Sequence, residues 1–225
     1  MAMGMLEPSP PTAETARAWW QLPYAYYPVA YAFRLAVTLA AILWVLPGYR
    51  PFPFRVRWQS WLLGLAGGAA WIALCESPWQ QQLLSLLGLE GHVGSAGRAA
   101  YNPFAQLGSV DPKWPWIYLA IRFSGLVLIV PVIEEFLLRG FLMRFFASRE
   151  WWTLPIGGLQ PAALAVAVIY PVASHPEMLA ALVWFSGVTW WVARTRNVWD
   201  AVVVHSATNL LLGVYVVGWD RWRWM

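Results

Sequence analysis

Three apolar stretches of this sequence carry groups that apolar sequence ordinarily excludes. Glu134, Glu135 and Arg139 stand in the string Val-Ile-Glu-Glu-Phe-Leu-Leu-Arg, His175 closes a second stretch, and His205 and Asn209 lie in a third as His-Ser-Ala-Thr-Asn. An ionisable side chain inside a bilayer is costly, which makes each of these a candidate functional residue. Glu135 and Arg139 are four apart, the spacing that pairs opposite charges on one helix face. Glu134 projects about 100° further round the helix, and a carboxylate without a partner in a low-dielectric site is suited to general-base work. His205 and Asn209 share a face one turn apart and offer two donors to a developing oxyanion. His175 can hold a water with Glu134 or pass a proton. Base, water and oxyanion donors form a hydrolytic set that needs no nucleophilic Ser or Cys.

Each element also has a plainer reading. Glu135–Arg139 can be a structural pair, adjacent glutamates a solvated cap, His205 with Asn209 a link between helices, and His175, followed by Pro176, an interfacial loop residue. A zinc site of Glu134, His175 and His205 is a further alternative, although no His-Glu-x-x-His run supports it. Depth argues for one shared site. At about 1.5 Å rise per residue, Glu134 lies roughly 15 Å inward from Arg144, His205 and Asn209 roughly 13 and 20 Å from Arg196, and His175 roughly 21 Å from Pro161. All three stretches place their polar groups near mid-membrane.

The elements that must hold these groups follow from composition. Of 225 residues, 60% are hydrophobic and only 12% charged, about half the roughly 25% charged of a soluble domain. Mean hydropathy is +0.50. There is too little polar material for a water-facing surface, which excludes a soluble globular, a disordered or a nucleic-acid-binding protein. The expected fold is all-α, a polytopic transmembrane bundle of about six helices in a single membrane domain spanning 1–225, with 1–26 a polar N-terminus. The spans run roughly Val29–Leu46, Trp61–Cys75, Trp116–Phe145, Pro161–Ser174, Met178–Val192 and Val198–Val217, and tryptophans cluster at their ends as they do at headgroup level. Arg50, Arg55 and Arg57, then Arg144 and Arg149, then Arg194 and Arg196 fall in alternate loops, the positive-inside pattern. It places both termini outside, against which Arg221 and Arg223 count. Gly64 and Gly68 are spaced for close helix contact. His92 reads as a surface loop residue, the lone Cys75 as packing, and Met1–Arg17 lacks the basic and apolar regions of a signal peptide.

These residues resemble the type II CAAX prenyl endopeptidases and bacteriocin-processing or self-immunity proteins, the CPBP or Abi family. The motif Glu-Glu-x-x-x-Arg matches Glu134, Glu135 and Arg139, with Gly140 following, and His-x-x-x-Asn matches His205 and Asn209. The string Arg194-Thr-Arg-Asn-Val-Trp through Asn209-Leu-Leu-Leu-Gly-Val-Tyr looks like the exosortase (PEP-CTERM)-associated branch. The resemblance implies an intramembrane glutamate protease of the bacterial inner membrane, acting on a membrane-associated protein or lipidated peptide. On that pattern Glu134 and His175 activate water, His205 and Asn209 stabilise the oxyanion, Glu135 and Arg139 support the site, and no cofactor is needed. One departure is Pro171, which stands where the family's second motif, Phe-x-x-x-His, has its aromatic residue. It is expected to kink the helix near the site. Competing readings are a non-catalytic partner or immunity factor that retains the fold, a zinc-dependent variant, and a proton-coupled transporter.

Overall fold

The computed structural model describes residues 24–88 and 101–224; the polar stretch through residue 23, His92 and Arg98 lie outside these. Every regular element among the described residues is helical. The main helices are α1 (Tyr27–Val45), α2 (Trp58–Glu76), the short α3 (Trp79–Leu86) and α4 (Pro103–Leu107), α5 (Trp114–Ala147), α6 (Pro161–Ser174), α7 (Met178–Thr195) and α8 (Val198–Gly218). Six of these coincide with the expected spans to within a few residues at each end. Among the described residues, three stretches are long and apolar enough to cross a membrane by themselves: Tyr27–Tyr49, which is α1 with the 3-10 turn that follows it, α5 and α8. The chain is thus an all-α helical membrane bundle. The 34 residues of α5 make about 51 Å at 1.5 Å each, well beyond a hydrocarbon core of about 30 Å.

Proline shapes α5 and α6 from within. A proline has no N–H to give and its ring strikes the carbonyl four residues back. Ahead of Pro131 the helix widens to π geometry over Gly125–Ile129, and ahead of Pro171 over Ala165–Ile169. In both cases the residue before the proline donates one step further back than in an α-helix, Val130 to Gly125 O and Tyr170 to Ala165 O. The kink expected at Pro171 takes the form of this π turn. A further π segment, Phe136–Leu142, carries Arg139.

The bundle is assembled on α8, the most enclosed of the three long apolar helices; α1 is the most exposed. α2 runs parallel to α8 and meets it through glycine. A Cβ on Gly64 would sit 2.5 Å from Val204 O and 2.6 Å from Ala207 Cβ, and one on Gly68 3.1 Å from Leu211 Cδ2. The two backbones approach this closely because those positions lack side chains. Polar contacts fix the seam at each end. At the start of α8, buried Asp200 accepts from Arg57 N (2.8 Å), Arg57 Nη1 (3.1 Å) and Ser60 Oγ (2.7 Å), while Trp191 Nε1 of α7 donates to Ser60 Oγ (3.0 Å). At the far end Glu76 takes Tyr215 Oη (2.9 Å) and pairs with Arg221 Nε (3.2 Å). Arg221, which counts against the charge pattern in the sequence, is thereby neutralised.

The α7–α8 turn is two residues long. Arg196 adopts φ 55° and its N–H returns to Val192 O (2.8 Å), closing α7; Asn197 then caps α8 through Trp199 N (3.1 Å). This turn gathers with the α1–α2 and α5–α6 connections, so that Arg55, Arg57, Arg144 and Arg196 all border one cleft. Alternate loops therefore do share an end of the bundle.

The glycine seam makes a direct prediction. Gly64→Ala is expected to destabilise the bundle by about 1–3 kcal/mol through overpacking. Gly48→Ala, where an added Cβ meets nothing within 4 Å, should stay within roughly 0.5 kcal/mol. Unfolding of the two variants in one detergent gives the comparison, and equal effects would show that the seam does not limit packing.

Candidate active site

α5 lies antiparallel to α8, so the motif residues of the two helices meet side by side. Glu135 is 1% exposed and Arg139 fully buried; Arg139 Nη1 donates to Glu135 Oε2 one turn away. The other carboxylate oxygen, Oε1, lies 2.9 Å from His205 Nδ1. Glu135 thus joins its own helix to α8, and a carboxylate at that distance takes the Nδ1 hydrogen. Arg139 keeps two buried nitrogens, Nε and Nη2, without a hydrogen-bond partner. Its guanidinium faces the rings of Phe185 (5.7 Å) and Trp184 (6.0 Å) on α7, whose electron-rich faces offset part of that loss.

Glu134 behaves differently from its neighbour. Its side chain is 56% exposed and Oε2 comes to 3.9 Å from His205 Nε2. The protein itself covers less than half of this side chain. One helical step separates a buried carboxylate from an exposed one, because α5 turns Glu135 toward α8 and Glu134 toward a separate cavity that His205 also lines.

Asn209 has a partner that the spacing did not suggest. Val130 N is bonded to Gly125 O, and Pro131 has no N–H, so the Leu126 carbonyl takes Asn209 Nδ2 instead (2.8 Å). A carboxamide nitrogen carries two hydrogens, which leaves one for a ligand.

His175 stands just past the end of α6, in extended conformation. The last carbonyls of a helix lack intrahelical donors. Pro171 O is satisfied by Ser174 Oγ (2.9 Å) and by His175 Nδ1 (2.6 Å). Since a carbonyl only accepts, Nδ1 carries the hydrogen and Nε2 is the basic nitrogen of the neutral ring. The turn that follows is held by Gln80 of α3, whose Nε2 donates to Pro176 O (2.8 Å) and whose Oε1 accepts from Leu179 N (3.0 Å). Trp71 and Phe185 meet the imidazole edge-on at 5.9 and 5.3 Å.

Glu134, His175, His205 and Asn209 line one cavity of about 150 Å³, room for several waters, each of which occupies about 30 Å³ in the liquid. Its walls include three residues that sequence spacing does not single out. Trp184 packs edge-on to His205 (4.8 Å) and donates from Nε1 to Thr208 Oγ1 (3.0 Å), which in turn donates to Gly64 O (2.8 Å). Arg122 borders the cavity from further along α5. A tryptophan in mid-span rather than at a span end was the available signal for Trp184; Thr208 sits inside the His-Ser-Ala-Thr-Asn string; Gln80 had none. Among the described residues no three His, Cys, Asp or Glu side chains are placed to share a metal ion.

Comparison with known proteins places residues 114–211 in a match to the family described as Rce1-like, type II CAAX prenyl endopeptidase Rce1-like. That segment runs from the start of α5 into α8 and contains all six motif residues. No curated protein and no solved structure matches the chain. The match supports a CAAX-type protease embedded in a membrane and acting on a protein or peptide.

The buried triad should respond to single changes far more than to a paired one. Glu135→Gln leaves Arg139 charged and uncompensated, at a cost of about 3–5 kcal/mol. Combining Glu135→Leu with Arg139→Met should cost clearly less than the two single changes added. A double-mutant cycle on unfolding free energies measures this, and strict additivity would mean that the pair is not coupled.

Proposed function

We propose that this protein is an intramembrane endopeptidase of the glutamate type, a single membrane domain that hydrolyses a peptide bond of a membrane-associated protein or lipidated peptide. One observation carries the reading: side chains from α5, α6 and α8 converge on one small cavity while Arg139 and Glu135 lock His205 from behind. Glu134 takes a proton from a water held with His175 Nε2, and the hydroxide adds to the scissile carbonyl carbon. The carbonyl π electrons move to oxygen, which is received by the second Asn209 N–H and by His205. Because the Nδ1 hydrogen of His205 is committed to Glu135, donation from Nε2 requires the doubly protonated ring. Collapse of the tetrahedral adduct expels the amine, which takes the proton held by Glu134.

The bacterial inner membrane and the exosortase-associated branch belong to the same proposal. They rest on the distribution of arginines and on the Arg194–Trp199 and Asn209–Tyr215 strings.

Glu134→Gln tests the base. It is expected to lower turnover at least about 10²-fold while membrane insertion and unfolding stay unchanged, since the side chain is largely exposed. Full processing by this variant would instead indicate a non-catalytic partner. Asn209→Ala is expected to cost about 10²–10³ in kcat, read in a cleavage assay on purified protein in lipid. Activity should also survive exhaustive chelation; loss restored by zinc would replace water activation by Glu134 and His175 with a metal-dependent route.

A further inference from the structure

The arginine-bearing end of the bundle holds a second, larger cleft, of about 680 Å³. That lies within the range of about 300–1,000 Å³ typical of small-molecule sites. Arg55, Arg57, Arg144 and Arg196 line it, brought there by the α1–α2 connection, the end of α5 and the α7–α8 turn, and none of its described lining residues is acidic. Asp200 is bonded to Arg57 from behind and is itself fully buried, so three positive charges remain in excess. The frame is stiff. Arg144 donates to Gly140 O and Leu154 O, Arg196 Nη1 to Ile156 O (3.0 Å), and Asn197 Nδ2 to Arg55 O (2.6 Å). These contacts hold the guanidinium-bearing segments together against their mutual repulsion. Pro51, Pro53 and Pro155 restrict the walls further.

We infer that this cleft binds the phosphate headgroup of an anionic phospholipid. Guanidinium forks match phosphate oxygens in geometry as well as charge, and basic pockets between membrane helices on the positive side receive such headgroups. The level in the membrane favours a lipid over a free anion: Phe54, Trp58 and Trp152, next to the cleft in sequence, are strongly exposed, as aromatic residues are at the headgroup boundary. The site is separate from the cavity holding Glu134 and does not depend on the peptidase reading.

The test uses the full chain in neutral detergent, titrated with phosphatidylglycerol or phosphatidylcholine and read by thermal unfolding and by native mass spectrometry. Phosphatidylglycerol is expected to bind and raise the unfolding midpoint, and phosphatidylcholine to do neither. Arg55→Gln combined with Arg196→Gln should weaken phosphatidylglycerol binding on the order of thirtyfold. Arg194→Gln removes a like charge that does not line the cleft and should leave binding within about twofold. Should the double variant fail to fold, Arg55→Gln alone, with a loss of at least about fivefold, carries the same test. Equal binding of the two lipids, unchanged affinity in the Arg55 variants, or an equal loss in Arg194→Gln would overturn the proposal. Competition by millimolar inorganic phosphate would assign the cleft to a free anion and overturn the lipid assignment.

Discussion

A single carboxylate, Glu135, accepts from two sides inside the bundle, and the geometry of the cavity follows from that. Burying Glu135 and Arg139 is unfavourable for each alone. Together with His205 they satisfy one another across two helices, which fixes the rotation of α5 about its axis and its height against α8. With that rotation set, Glu134 has to face the cavity that His205 lines. The same contact commits Nδ1 of His205 and leaves Nε2 toward Glu134. Position, tautomer and the different burial of the adjacent glutamates thus share one physical cause.

The supporting frame is polar at its ends and tightly packed between them. Asp200 with Ser60 and Arg57 at one end, and Glu76 with Tyr215 and Arg221 at the other, hold α2 and α8 in register. Between them, Gly64 and Gly68 let backbone meet backbone, and Thr208 turns that closeness to use by joining Gly64 O to the Trp184 indole beside His205. In lipid there is little hydrophobic force between helices, so close packing and interhelical hydrogen bonds have to supply the association. In this bundle both lead toward the site.

Two prolines contribute, one through the hydrogen bond that it cannot donate and one through the carbonyl that it offers at a helix end. Pro131 leaves the Leu126 carbonyl to Asn209. Pro171 brings a π turn ahead of it, and its own carbonyl orders the His175 ring, although the family pattern has an aromatic side chain at that position. At Pro131 a backbone irregularity, and at Pro171 a helix end, is satisfied by a residue of the candidate site, so backbone and site geometry are coupled.

Much of this was legible in the sequence. Apolar runs of span length determined the helices, because a bilayer requires every backbone group to be bonded within its own segment, and the start of α6 follows directly from Pro161. Alternating arginines implied which connections share an end, and the i, i+4 spacing implied the Glu135–Arg139 pair. Pairing across helices was not legible. The sequence could not say that His205 bonds Glu135 rather than standing with Asn209 alone, that Asn209 is half committed to Leu126, or that Glu134 is exposed where Glu135 is buried. Nor did it show Gln80 gripping the His175 turn, or Asp200 as the anchor of α8. Spacing along one helix fixes which residues share a face. Which faces meet, and at what height, depends on packing of side chains far apart in the chain, and only the tertiary structure decided that.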